Sequence, residues 1–224
     1  MKNVIIVGSG AVAAELTSYI EDDNIHSEKK NYLNILGYLD FKENINKYWR
    51  KYKFKQPVIS DIYTYHPQVD DHFIIGISDI DFRTKMIRAL LEKKASIVGF
   101  AHYSTIIASS AILGIGNIIY PHCIIGPNSI IGDYNLFTSY SFISHDCIIG
   151  NSNFFSTSGI SGNVKIGNNN FLGIRSTIMP ELSVGDRNII QAGMIVDRSI
   201  ENDSTIFHRF KEKILVIRKG YDNE

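Results

Sequence analysis

Residues 118–150 read IIYPHCIIGPNSIIGDYNLFTSYSFISHDCIIG, and an apolar side chain recurs at every sixth position. Stepping by six gives Ile107, Leu113, Ile119, Ile125, Ile131, Phe137, Ile143, Ile149 and Phe155. A single five-residue step to Ile160 restarts the series, which runs on through Ile166, Leu172, Ile178, Val184, Ile190 and Val196. All sixteen positions are apolar in a chain that is 44% apolar overall, so chance does not explain them. An amphipathic helix needs spacings of three and four and a half-buried strand a spacing of two, so a strict six fits neither. The residue after the stepped position is often glycine, as at Gly114, Gly126, Gly132, Gly150, Gly167, Gly173 and Gly185. Four positions after it lies a small residue, as at Ala111, Cys123, Ser129, Ser141, Cys147 and Ser176.

This pattern predicts a solenoid in which each hexad is one short strand and one corner, with glycine supplying the backbone freedom of the corner. Three hexads close a triangular coil, and stacked coils pair as parallel strands. The hexads predict about five coils and a prism about 25 Å tall at the usual strand spacing. Cys123 and Cys147 are one coil plus one face apart, so they are expected on different faces as small, unbonded core residues.

Bulk properties exclude some partners. The 224 residues carry 23 Lys+Arg and 23 Asp+Glu, so no net field draws nucleic acid or an anionic membrane. The opening MKNVIIVGSG is too short an apolar run for a signal or spanning segment, and a cytoplasmic protein is expected. No His, Cys, Asp or Glu spacing suggests a metal site.

Residues 3–7 read as a buried parallel strand, Gly8-Ser9-Gly10-Ala11 as a tight turn, and 11–21 as a helix. That order places a phosphate at a helix N-terminus, although Gly8-x-Gly10-x-x-Ala13 is equally the signature of a plain strand–helix turn. Further strands are expected at 35–40, ending in Asp40, and at 73–77, with a helix over 80–94 and a lead-in over 95–101. Three or four strands make a mononucleotide half rather than a full dinucleotide domain. Residues 41–56, polar and basic, read as a surface excursion whose Lys and Arg are candidate phosphate ligands.

The Gly8-Ser9-Gly10 turn, Leu39-Asp40, the stretch Ser144-His145-Asp146-Cys147-Ile148-Ile149-Gly150 and the stretch Gly162-Asn163-Val164-Lys165-Ile166-Gly167 occur together. In this combination residues 1–200 resemble a bacterial hexapeptide-repeat family, the nucleotide-amino-sugar N-acetyltransferases and sialic acid O-acetyltransferase-like proteins. The resemblance implies an α/β, Rossmann-like half domain over 1–101, an all-β left-handed parallel β-helix over 102–200 and a tail over 201–224. It implies a homotrimer that acetylates an amino sugar carried on a nucleotide, with acetyl-CoA as donor and active sites between neighbouring β-helices. Carried over residue by residue, His145 is the base and Asp146 its partner. Gly162, Asn163, Gly173, Ile174, Ala192 and Gly193 line the path of the thioester and pantetheine. Gly8, Ser9, Gly10 and Ala11 face phosphates, Asp40 faces the base or ribose, and Ser78 and Asp79 follow the third strand where relatives carry Gly-Asp or Gly-Asn. Where many relatives carry Gly-x-Pro-Ala-Lys near the CoA end, this chain has Ser204–Phe210 with no proline.

The chemistry suits these residue types. An amine acylated by a thioester must shed a proton, and imidazole accepts one near neutrality. A carboxylate on the other ring nitrogen orients it, and main-chain donors near a glycine stabilise the oxyanion. The plainer reading of His145 is a corner histidine with a satisfied hydrogen bond, and of Asp146 a solvated turn acid. His122 reads as a structural residue on a different face, and His26, His66, His72, His102 and His208 as surface or packing residues. Tyr134, Phe137, Tyr140 and Phe142 read as subunit or core packing, with a wall of the acceptor pocket as the alternative. Residues 206–218 read as a cap on the last coil, with CoA-phosphate contacts through Arg209, Lys211 or Lys213 as the alternative. Alternative functions are O-acetylation of a sialic acid-like sugar and a non-catalytic, nucleotide-sugar-binding trimeric scaffold.

Overall fold

The computed structural model describes residues 2–26 and 32–207. The expectations for His208, Arg209, Lys211 and Lys213 lie outside the described residues. The chain opens with β1 (Lys2–Val7), α1 (Ala11–His26) and β2 (Leu33–Leu39). Two short helices, α2 (Lys42–Asn44) and α3 (Arg50–Tyr52), flank a π-helical stretch at Ile45–Trp49. Then come β3 (Val58–Ser60), β4 (His72–Ile75), α4 (Ile80–Glu92) and β5 (Ser96–Ile97). The five strands form one parallel sheet in the order β3-β2-β1-β4-β5. Sequence patterning found β1, β2 and β4; β3 and β5 have three and two residues and too little pattern to read. Valine and isoleucine fill the inner strands because both faces of a parallel sheet are covered, and Val4 to Val7 are fully buried. The excursion after β2 is not purely superficial. Phe54 is buried, its ring 4.3 Å from that of Tyr38, and the Trp49 indole donates to the Gln56 carbonyl at 2.7 Å.

The rest is a left-handed parallel β-helix of eighteen two-residue strands, from β6 (Phe100–Ala101) to β23 (Thr205–Ile206). They form three sheets of seven, six and five strands, the flat faces of a triangular prism. Face 1 carries Ile118–Ile119, Leu136–Phe137 and Phe154–Phe155; face 2 carries Ile124–Ile125, Phe142–Ile143 and Thr177–Ile178; face 3 carries Ile130–Ile131, Ile148–Ile149 and Lys165–Ile166. The stepped residues point inward. From Ile119 to Val196 each is at most 3% exposed, and Phe137 stacks on Phe155 with ring centroids 4.6 Å apart. Cys123 and Cys147 are buried, unbonded, and lead into different faces, as the spacing predicts. Burial pushes the Cys123 thiol up to about 11.

The glycines do a different job from the one expected. The left-handed corner residue lies two positions after them and is usually not glycine: Asn128, Tyr134, Ser152, Asn169, Arg175 and Arg187 all have φ between 55° and 59°. Glycine is needed because the next coil lies against it. A Cβ on Gly126 would sit 2.6 Å from the Ser144 carbonyl carbon, and one on Gly173 2.7 Å from the Ala192 nitrogen.

A buried asparagine ladder stitches the edge between faces 3 and 1. Each Oδ1 accepts from the next rung's main chain: Asn135 from Asn153 at 2.9 Å, Asn153 from Asn170 at 2.8 Å and Asn170 from Asn188 at 2.8 Å. The side-chain amides of Asn153 and Asn170 donate back along the ladder at 3.1 and 3.0 Å. Face 1 is also where the α/β part docks. Ile118, Leu136 and Phe154 share a core with Val12, Leu16 and Ile20. Arg83 of α4, 2% exposed, donates to the Ser152 and Asn153 carbonyls at 2.9 and 3.0 Å. Desolvation lowers its guanidinium to about 10. Among the described residues no helix is long and apolar enough to cross a membrane.

Asn153→Ala leaves the buried Asn170 N–H and the Gly167 carbonyl of the next coil without their side-chain partner. A loss of at least about 2 kcal/mol in urea unfolding is expected; a loss under about 0.5 kcal/mol would remove the ladder from the account of stability.

Candidate active site

His145 and Asp146 form the corner between face 2 and face 3, in the coil that runs from Leu136 to Ile149. Asp146 takes the left-handed conformation, φ 58°, which swings its carboxylate back beside its neighbour. Asp146 Oδ2 lies 2.7 Å from His145 Nδ1. Its Oδ1 accepts from the Asn128 amide at 3.2 Å, one coil earlier, and its N–H donates to the Pro127 carbonyl. The hydrogen bonds from His145 first and then from the Asn128 amide hold the Asp146 carboxyl below its ordinary value of 3.8. The imidazole side chain is 59% exposed. A carboxylate on Nδ1 puts the proton there and leaves Nε2 as an acceptor at the prism edge.

The next coil lies close over that ring. A Cβ on Gly162 would sit 2.6 Å from both Nε2 and Cε1 of His145, so only glycine fits with the ring in this place. Gly162 meets His145 because the five-residue step shortens this coil to seventeen residues; Asn163 N donates to the His145 carbonyl at 3.0 Å. Asn128 was not singled out from the sequence, although it lies one coil of eighteen before Asp146.

Gly173, Ile174, Ala192 and Gly193 come together at the edge between faces 1 and 2. Gly193 N donates to the Ile174 carbonyl at 2.8 Å, Ile174 is exposed, and nothing lies within 4 Å of a Cβ built on Gly193. The width of face 2 separates this group from His145 and Gly162 within one chain.

The α/β part carries the remaining candidates. β1 lies between β2 and β4, so the crevice at its carboxyl end is the switch point where such sheets bind ligands. Gly8, φ 98°, packs its Cα against Gly76, whose carbonyl would lie 3.0 Å from an added Cβ. Ser9 is fully buried, and its N–H and hydroxyl both donate to Asp40 Oδ2, at 2.8 and 2.5 Å. The other oxygen, Oδ1, accepts from Phe41 N and the Asn44 amide, both at 2.7 Å. Asp40 therefore holds the turn, and both its oxygens are taken within the protein. Gly10 and Ala11 stay open at the start of α1. Asp79 caps α4 by accepting from Phe82 N at 2.7 Å, and with Ser78 it lines a cleft of about 620 Å³ against Phe154, Phe171 and Arg187. Among the described residues no group of His, Cys, Asp and Glu is placed to hold a metal ion.

The four aromatics read together from the sequence part company. Phe137 is interior, Phe142 lies outward on face 2, Tyr134 packs against the α/β core and Tyr140 stands exposed at the edge between faces 1 and 2. His122 stacks on Tyr140, centroids 5.2 Å apart.

A carboxyl held down by its neighbours contributes to stability above its ordinary value and loses that contribution as pH falls through the lowered one. Carbon-detected NMR should give Asp146 a midpoint below 3.8 that rises in His145→Ala; an unchanged midpoint would break the pairing.

No protein-family model matches the sequence. Among solved structures, PerB of Caulobacter crescentus, in complex with CoA and GDP-perosamine, superposes with a TM-score of 0.78 at 22% identity, over 92% of this chain and 93% of that one. The acetyltransferase domain of PglB from Neisseria gonorrhoeae gives 0.75 at 15% identity over 89% and 93%. WeeI from Acinetobacter baumannii gives 0.74 at 20% identity over 92% and 96%. Nearly the whole chain, α/β part and β-helix in the same order, thus shares the fold of these proteins.

Proposed function

We propose that the protein transfers the acetyl group of acetyl-CoA to the amine of a nucleotide-linked amino sugar. The observation that carries this reading is the His145–Asp146 pair, set at an open prism edge directly under Gly162. A fold shared from end to end with a protein crystallised with CoA and GDP-perosamine supports it. In this reading the amine nitrogen attacks the thioester carbon while His145 Nε2 takes its proton. The C–N bond forms, the oxyanion collapses, the C–S bond breaks, and the imidazolium returns the proton to the leaving thiolate. Asp146 keeps Nε2 the acceptor and stabilises the imidazolium. The α/β part is read as holding the nucleotide through the Gly8–Ala11 turn and Ser78–Asp79, and the β-helix, which the structure starts at Phe100 rather than at residue 102 and carries to Ile206 rather than residue 200, as the transfer domain. A cytoplasmic location goes with these two substrates.

A homotrimer is part of the proposal. Face 2 presents outward apolar residues that reach the last coils, Ile106 at 65%, Ile124 at 45%, Phe142 at 43% and Ile195 at 66% exposed, with Gly159 and Thr177 between them, whereas on face 3 the outward Ile112, Ile130 and Ile148 give way to Lys165 and Ser183. With face 2 turned inward in a cyclic ring, the edge between faces 1 and 2 of one copy lies against the edge between faces 2 and 3 of the next. Gly173, Ile174, Ala192 and Gly193 then face Gly162 and His145 across one groove, the expected path of acetyl-CoA.

Thiol release from acetyl-CoA with a panel of amino nucleotide sugars tests the chemistry. Turnover that falls at least ~100-fold in His145→Ala is expected; turnover only with hydroxyl acceptors, or an unaffected variant, would contradict it. Gly162→Ala, which pushes the imidazole aside, should cost at least ~10-fold in kcat with folding intact. Ile124→Glu should convert a species of three 25.3 kDa chains into single chains by analytical ultracentrifugation; a wild-type monomer would end the trimer.

A further inference from the structure

The Asp146 carboxylate orients His145, yet packing does not orient the carboxylate. Where such a carboxylate is buried, the surrounding protein holds it. Here the Asp146 side chain is 51% exposed. One contact, the 2.7 Å approach of Oδ2 to His145 Nδ1, leaves an exposed side chain free to turn about its own torsions. A carboxylate that turns away lets the neutral imidazole carry its proton on either ring nitrogen, and the form protonated on Nε2 has no acceptor at the open edge.

A second contact comes from the coil before. Asn128 precedes Asp146 by a full coil of eighteen residues, and its Nδ2 donates to Oδ1 at 3.2 Å. With Oδ1 held by Asn128 and Oδ2 against the ring, turning the carboxylate breaks both contacts at once. Asn128 is itself fixed. Its N–H donates to Ser110 Oγ at 3.0 Å, one coil earlier still, and the Asp146 N–H donates to the Pro127 carbonyl at 3.0 Å. The corner angle does not explain why asparagine stands there. Its φ is 59°, but Tyr134, Arg175 and Arg187 carry 58°, 57° and 55° at other corners. What asparagine adds is a short, neutral N–H donor. An arginine or lysine would draw the carboxylate into an ion pair of its own, away from the imidazole.

We propose that Asn128 is a positioning residue of the site: by anchoring Asp146 Oδ1 it keeps Oδ2 on His145 Nδ1, so that the ring proton stays on Nδ1 and Nε2 stays open as the acceptor. Asn128 acts through Asp146 and does not touch the reacting atoms. Nitrogen-15 NMR of the full chain reads the tautomer directly, with no substrate present. In the wild type, neutral His145 is expected to carry its proton on Nδ1. Asn128→Gly keeps the corner angle and removes the amide; Asn128→Ala removes it without adding backbone freedom. Both should move part of the population to the form protonated on Nε2. The Asp146 midpoint should rise in both, because a hydrogen bond that favours the charged carboxylate is gone. A wild type protonated on Nε2, or a tautomer unchanged in both variants, overturns the assignment. The kinetic consequence rests on the acetyltransferase reading: kcat should fall about 10-fold in Asn128→Gly with KM for acceptor and for acetyl-CoA unchanged. A wild type that acetylates no amino nucleotide sugar overturns that reading, and the tautomer then decides on Asn128 by itself. Given turnover, a variant with wild-type kcat, or one that loses only acceptor KM, overturns the positioning role.

Discussion

Everything in this protein depends on how closely one coil can lie on the next. Glycine after the stepped residue lets backbones meet without a Cβ between them, and the ladder pairs then lock coil on coil. The inward column of isoleucine, valine and phenylalanine supplies the burial that drives the stacking. Because the register is this tight, residues far apart in sequence become fixed neighbours: Asn128 under Asp146, and Gly162 over His145. One short step, Phe155 to Ile160, decides that the coil above the imidazole presents a glycine there and not the next residue.

The solenoid was legible because its period is unlike that of any helix or simple strand, and because sixteen repeats average out local exceptions. Of the α/β sheet, expected with three or four strands, the sequence showed three of the five; the three faces and the interior cysteines followed from spacing alone. The role of the glycines did not. Backbone freedom is the usual reason for a corner glycine, but here asparagine, serine, arginine and tyrosine carry the left-handed angle, and the glycines answer to the neighbouring coil, which a linear pattern does not display. The strands at Val58–Ser60 and Ser96–Ile97 were hidden by their shortness. Arg83 was hidden because its partners are main-chain carbonyls sixty-nine and seventy residues away.

The candidate site was legible in part. His145 and Asp146 stand adjacent in sequence and in space. Asp40 stands where the resemblance expects a nucleotide-binding acid, yet its oxygens are occupied by Ser9, Phe41 and Asn44, and what it does in the structure is hold the turn. The residues expected along the CoA path divide between two edges of one prism, the two that flank face 2. Docking of the α/β part on face 1 leaves face 2 and both edges open.

The most direct test is a crystal structure of the protein with CoA and an amino nucleotide sugar. The account predicts the acceptor nitrogen within hydrogen-bond distance of His145 Nε2, the CoA sulfur beside Gly162, and both ligands in a groove walled by two chains. CoA bound along face 3, or the acceptor amine remote from His145 with the imidazole touching neither ligand, would contradict it.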